Sequence, residues 1–185
     1  KMIYTGYLPR VASTNPQVAP TVRMDEPYLL VTAGGGGDGD VLMDWVLRAY
    51  EYDRELPYAA LLVLGPFMPP ETQRQFQERV ARQSRVKAIT FDSHLEILLA
   101  EAAGVVAMGG YNTFCEILSF DKRAVIVPRS KPRREQFIRA TRAQEEQHPQ
   151  LRRQLPVDLT HVDTLRLEMG EPAQRRSQVV LRQQG

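Results

Sequence analysis

In the stretch VVAMGGYNTFCEIL, two glycines, Gly109 and Gly110, precede Asn112, Thr113 and Glu116 at the start of an amphipathic helix pattern. Glycines let a backbone come close to a ligand, and the first N–H groups of a helix have no partner inside it. A helix end opened in this way attracts a phosphate or another anion. Glu116 then has two readings. Thr113 and Glu116 have the Thr-x-x-Glu form of a capping box, in which the threonine caps the helix and the glutamate reaches back to its backbone N–H. Alternatively, the carboxylate serves a ligand seated on the helix end. The residues by themselves leave both open.

Three further stretches carry residues of the same kind. AGGGGDGD holds Gly34, Gly35, Gly36 and Gly37, FDSH holds Phe91 and Asp92, and PRSKPRREQ ends in Glu135 and Gln136. Gly34, Gly36 and Gly39 satisfy the G-x-G-x-x-G dinucleotide pattern, but four consecutive glycines satisfy almost any glycine pattern. The second strand closes as VLGPFMPP, without the acid that would hold a ribose there, so an NAD site is poorly supported. No Gly-Lys-Ser/Thr follows the glycines, so a Walker A loop is absent; the bland alternative is a flexible strand-to-helix turn. His94 beside Asp92 reads as an incidental first-turn histidine. His148 and His161 lack metal-ligand spacing, and no metal site is expected. Cys115 is the one cysteine of the chain. It lies on an apolar helix face with no histidine near it in sequence and reads as core rather than nucleophile. No internal disulfide is possible, and a reducing, cytoplasmic location is the simplest expectation.

What must position these residues is legible from hydrophobic periodicity. From Pro27 onward the pattern alternates. PYLLVTAG, YAALLVLGPF, VKAITF, GVVAMGG and RAVIVPR are short apolar runs of buried-strand type, and VDLTHV is a candidate for one more strand. Between them DVLMDWVLRAYEY, PETQRQFQERVARQ, SHLEILLAEA, TFCEILSF and REQFIRATRAQEEQ show helical spacing. Pro70 and Glu71 give start signals, and Ser93 is the expected cap of its helix. Apolar strands alternating with helices through short connections predict an α/β, doubly wound, Rossmann-like parallel sheet covered on both faces. In such sheets the ligand crevice lies outside the carboxyl ends of the strands, and all four stretches fall at that edge.

Composition agrees with one globular domain: 185 residues, 43% hydrophobic and 25% charged. The net charge of +2 argues against nucleic acid as a partner. The charge is uneven, with 10 basic and 15 acidic residues in 1–121 but 14 basic and 7 acidic in 122–185; a solvated basic face accounts for the second part. No apolar run approaches the roughly 18 residues of a membrane helix. The expected organisation is a linker or arm over 1–27, a ligand-binding domain over 28–170 and a tail or helix over 171–185. The opening KMIYTGYLPR reads as a piece cut from a longer protein.

Taken together, MGGYNTFCEILSFDKRAVIVPR and the following REQFIRA resemble the C-terminal, donor-binding domain of GT-B glycosyltransferases, one half of a GT-B fold. The nearest branch in pattern is that of the peptidoglycan N-acetylglucosaminyltransferase and related predicted glycosyltransferases. The resemblance covers about residues 28 to 145 and implies a UDP-sugar donor. By this resemblance Glu116 accepts hydrogen bonds from both ribose hydroxyls, and Gly109, Gly110, Asn112 and Thr113 present the turn that meets the diphosphate. The Phe91–Asp92 loop reads the uracil edge through its main chain beside an aromatic ring. Gly34, Gly35, Gly36 and Gly37 face the diphosphate and an interdomain cleft. Glu135 and Gln136 stand where the family carries a Gln-Gln pair for the donor sugar. No cofactor is implied beyond the donor substrate. The acceptor site and catalytic base belong to an N-terminal domain absent from this chain, so no catalytic residue is assigned and the domain alone is expected to transfer little sugar. Peripheral membrane association is expected only through the full-length protein. The competing readings are an enzyme similar to UDP-sugar 2-epimerases, which needs carboxylates and a histidine lining the cleft, and a non-catalytic nucleotide-binding module.

Overall fold

A computed structural model describes residues 9, 11, 19–35, 37–129, 131, 133–145 and 151–153. Within them strands and helices alternate: β1 (Tyr28–Thr32), α1 (Asp40–Tyr52), β2 (Ala59–Val63), α2 (Pro70–Val80), β3 (Val86–Ile89), α3 (Leu95–Glu101), β4 (Gly104–Ala107), α4 (Tyr111–Ser119), β5 (Ala124–Ile126), α5 (Glu135–Glu145) and β6 (Leu151–Arg153). Every strand pairing is parallel, in the order β3-β2-β1-β4-β5-β6. The expected doubly wound sheet is therefore the observed one. Its order reverses direction between β1 and β4, which makes the carboxyl ends of those two strands the switch point where a crevice opens.

The strands are apolar along their length because both faces are covered. On one face Val31, Ala60, Leu62, Val106 and Val125 pack with Leu42, Met43, Val46 and Leu47 of α1 and Phe76 of α2. On the other, Leu30, Leu61, Val105, Ala107 and Ile126 pack with Leu98 and Leu99 of α3, Ile117 of α4 and Ala140 of α5. Fully burying one such Leu or Ile side chain contributes roughly 1.5–3 kcal/mol. Arg79 of α2 clamps the first pair of helices, donating to both Glu51 oxygens at 2.8 and 2.9 Å and to Asp44 at 2.7 Å. Cys115 is buried, as its apolar helix face predicts.

Residues 21–26, just before β1, run antiparallel beside β3, an outer strand of the sheet. Glu26 pairs with Arg85 at 2.7 Å, the Arg23 carbonyl accepts from Lys87 at 2.7 Å, and Thr21 reaches Asp92 beyond the end of the strand. Val22 and Met24 turn inward and pack against the α3–α5 layer.

Three boundaries differ from the sequence reading. Helix α4 starts at Tyr111 rather than at Thr113. Helix α3 starts at Leu95 after His94, without a side-chain cap from Ser93; the Asp92 carboxylate instead accepts from the His94 N–H at 2.7 Å. The sixth strand, Leu151–Arg153, comes from a polar segment with no apolar run. The strand expected at 157–162, the tail after Glu171, His148, His161 and Gly36 lie outside the described residues.

Candidate functional site at the switch point

The turn after β4 is built by Gly109, whose φ of +78° belongs to the left-handed region. A Cβ there would also stand 2.8 Å from Cγ2 of Ile126, so glycine is required on two grounds. Gly110 follows with φ −55° and ψ 154° and is the N-cap of α4, with no side-chain cap bond. Because these two glycines complete the turn, the helix begins at once, and its first bond runs from the Phe114 N–H to the Gly110 carbonyl at 2.9 Å. Thr113 is consequently inside the first turn and buried, and the capping box expected of Thr113 and Glu116 does not form as read. Glu116 sits one turn further in, half-buried. As N-cap, Gly110 gives the helix start no side-chain cap, and a Cβ there would meet nothing within 4 Å.

The loops on either side lean on this turn. After β1, Gly34 takes φ +74° and its N–H donates to the Thr32 hydroxyl at 3.1 Å; Gly35 lies under the exposed ring of Phe67, whose N–H donates to the Gly35 carbonyl at 3.0 Å. Nothing lies within 4 Å of a Cβ at Gly37. The glycine run therefore precedes α1 without capping it, since Gly39 is the N-cap. After β5, Arg129 extends toward the glycine loop and pairs with Asp38, while its second Nη donates to Glu135 at 3.1 Å. These two carboxylates hold the guanidinium pKa above its ordinary value. The Glu135 carboxyl is held low by its own backbone N–H and by Arg129. Gln136 is buried, and its amide oxygen accepts from the Arg129 N–H at 3.2 Å. From α5, Arg139 donates to the Gly109 carbonyl at 2.6 Å, with its guanidinium over the rings of Tyr111 and Phe114. A trans peptide points its C=O and N–H oppositely, so pinning the Gly109 carbonyl from one side aims the Gly110 N–H away from Arg139.

Phe91 and Asp92 stand further along the edge, after β3. Phe91 is 60% exposed, whereas Asp92 is buried. Both the hydroxyl and the N–H of Thr21 donate to one Asp92 oxygen, at 2.6 and 2.7 Å, and the His94 N–H donates to the other. Burial opposes the charge on this carboxylate, but the three donors outweigh it and hold its pKa below the ordinary value. His94 places Nδ1 3.6 Å from Glu96.

The structure thus brings Gly34, Gly35 and Gly37 of the loop after β1, Gly109 and Gly110 of the turn after β4, Asn112 and Thr113 of the first turn of α4, and Glu135 and Gln136 of the first turn of α5 to one edge of the sheet, with Phe91 and Asp92 on the loop after β3. The sequence reading did not single out Arg129, Arg139, Asp38, Phe67 or Thr21. Arg129 carried one usable signal, a cation placed directly after the apolar run AVIVP at the predicted ligand edge. Among the described residues no group of three or more His, Cys, Asp or Glu is placed to hold a metal ion, and no helix is long and apolar enough to cross a membrane. A separate apolar pocket, lined by Leu29, Val46, Tyr50, Leu56, Pro57, Tyr58 and Val106, lies toward the opposite end of the strands.

Comparison with known proteins agrees with this fold. Among solved structures, MurG of Acinetobacter baumannii superposes with a TM-score of 0.64 at 15% identity, over 80% of this chain and 43% of that one. The glycosyltransferase VinC, solved in complex with DTDP, gives 0.56 at 20% identity, over 89% and 37%. The UDP-GlcNAc 2-epimerase of Methanocaldococcus jannaschii gives 0.54 at 13% identity, over 83% and 42%. At these identities the likeness is one of fold, and the chain spans between 37% and 43% of the length of these three structures. No protein of curated function matches the chain. The sequence profile of the glycosyltransferase family 28 C-terminal domain matches residues 29–148, which run from β1 past the end of α5 and hold every candidate residue above; the chain belongs to that family.

Proposed function

We propose that this domain binds a UDP-sugar at the switch point and serves glycosyl transfer to an acceptor held by a second domain of the full-length protein. The observation that carries the reading is the start of α4 at the Gly109–Gly110 turn, which has no side chain in the way and lies between the β1 and β5 loops. Oriented N–H groups and the positive end of the helix dipole stabilise a diphosphate, most of all as it leaves and gains charge. That chemistry needs neither a cofactor nor a protein-bound metal. Glu116, one turn behind the glycines, accepts the two ribose hydroxyls. The exposed Phe91 ring and the main chain of its loop meet the uracil, and Glu135 with Gln136 lies toward the sugar. Cys115, buried and unpaired, accords with a cytoplasmic location. No group here acts as the catalytic base in this reading, and the domain alone transfers little sugar.

The test is calorimetry on the parent and Glu116→Gln, each with UDP and with 2′-deoxy-UDP. Hydrogen bonds to a charged group contribute roughly 1.5–3 kcal/mol, so Glu116→Gln weakens UDP about tenfold or more. The 2′-deoxy nucleotide binds the parent more weakly than UDP does, but the variant nearly equally. Additive losses would mean that Glu116 never touches the ribose. In thermal protection UDP exceeds GDP and ADP; equal shifts with all three would remove the uridine assignment. Turnover of a panel of nucleotide sugars by the full-length protein separates transfer from epimerisation and from binding alone.

A further inference from the structure

We infer that Arg129 is a guanidinium kept for the anionic part of the ligand, held by Asp38 and Glu135 and passed from Asp38 to the ligand on binding. The inference rests on the proposed diphosphate site and adds a residue and an exchange to it. Strand β4 lies between β1 and β5, so an ion pair joining Asp38, after β1, to Arg129, after β5, must pass across the carboxyl end of β4. Two inter-strand spacings put those loops about 10 Å apart. The pair therefore crosses in front of the turn where Gly110 leaves open space at the start of α4.

The arrangement is not a finished structural bridge. Two carboxylates share one guanidinium beside a helix end suited to an anion. The Arg129 Nε is buried and has no hydrogen-bond partner among the described residues, so one of the five donors of the fork stays unused by the pairing with Asp38 and Glu135. An anion with several oxygens accepts from more of that fork than one monodentate carboxylate does.

The two acids are also unequal. Glu135 is built into the first turn of α5, and the Arg129 backbone is tied to the same helix through Gln136. Asp38 is 42% exposed, belongs to the glycine loop with Gly34 in a left-handed conformation and open space around Gly37, and returns to water at little cost. Exposed pairs of this type contribute little to stability. Asp38 is the partner that yields.

The test uses the 185-residue chain, calorimetry, and two probes, UDP and inorganic pyrophosphate. Asp38→Asn frees the guanidinium and is expected to tighten both probes at least threefold. Arg129→Gln weakens both about tenfold, and in the Arg129→Gln background Asp38→Asn no longer tightens either. Asp40→Asn removes the same charge two residues further on, in the first turn of α1, and changes affinity less than twofold. If Asp38→Asn leaves binding unchanged or weakens it, the exchange is wrong, and this arm decides even if Arg129→Gln does not fold. Equal tightening by Asp38→Asn and Asp40→Asn also overturns it, because general charge removal then suffices. If UDP fails to bind while pyrophosphate follows the expected pattern, the nucleotide reading falls and the Arg129 exchange stands. If UDP binds and neither Asp38 nor Arg129 matters, only this inference falls.

Discussion

Gly109 and Gly37 look alike in the sequence and do different work. Gly109 is left-handed and its missing Cβ makes room for Ile126, whereas Gly37 has neither a positive φ nor a neighbour within 4 Å. A non-glycine residue in the left-handed region costs roughly 1–2 kcal/mol, and forcing a methyl into a filled site roughly 1–3 kcal/mol more. Gly109→Ala is therefore expected to lower unfolding stability by about 2–5 kcal/mol, and Gly37→Ala to change it by no more than about 0.5 kcal/mol. Urea melts of the two variants check this directly, and equal losses would contradict the turn geometry. Sequence marks both positions as ligand-edge glycines but cannot separate them, because the distinction depends on a side chain contributed by the next strand. Glu116 shows the same limit in reverse. A Thr-x-x-Glu spacing is local and legible, yet whether it caps depends on where the preceding turn ends. Here Gly110 ends it early, and Thr113 falls inside the helix.

Among elements, those with a strong apolar period were legible and those defined by polar contacts were not. The reading of Asp40–Tyr52 as one helix coincides with α1, because Leu42, Val46 and Tyr50 put a continuous apolar face on the core. β6 is not legible in the sequence because Leu151–Arg153 comes from a polar segment without an apolar run. The start of α3 was misplaced because Asp92, not Ser93, organises it. That carboxylate joins two elements: the arm through Thr21 and the α3 entry through the His94 N–H. Its depressed pKa sets the sign of a pH dependence. A group whose pKa is lower folded than unfolded contributes its full stabilisation above the unfolded value, near 3.9 for an aspartate, and loses it as pH falls through the folded value. Asp92→Asn is expected to cost about 2 kcal/mol at pH 7. The gap to the parent should hold down to about pH 5, narrow below about pH 4, and close in stronger acid. Thermal melts from pH 7 to 3 measure it. A gap independent of pH would show that the charge on Asp92 is not what ties the arm to α3.

At the scale of the whole molecule, the sheet order follows from rules that sequence obeys but does not spell out. Alternation predicted parallel strands; only the pairings show that β1 and β4 are neighbours and that β3 lies at an edge. An exposed edge strand invites pairing with another chain. β3 has Lys87 facing outward, and it is flanked by residues 21–26, whose side chains and carbonyls engage Arg85, Lys87 and Asp92. What holds this cover in place is apolar: Val22 and Met24 seat against the α3–α5 layer. The surrounding ion pairs are largely exposed and contribute at most about 1 kcal/mol each. Val22→Asp together with Met24→Asp should therefore lift the arm without emptying the main core, since both side chains are only partly buried. The parent, with its sheet covered by its own helices and β3 flanked by the arm, is expected to remain monomeric in light scattering across a concentration series. The double variant should keep its helical circular dichroism while its apparent mass rises with concentration, as uncovered β3 edges pair. A variant that stays monomeric with an unchanged melting temperature would mean that the arm is not what protects the β3 edge. Loss of the circular dichroism signal would mean instead that Val22 and Met24 belong to the core that holds the sheet together.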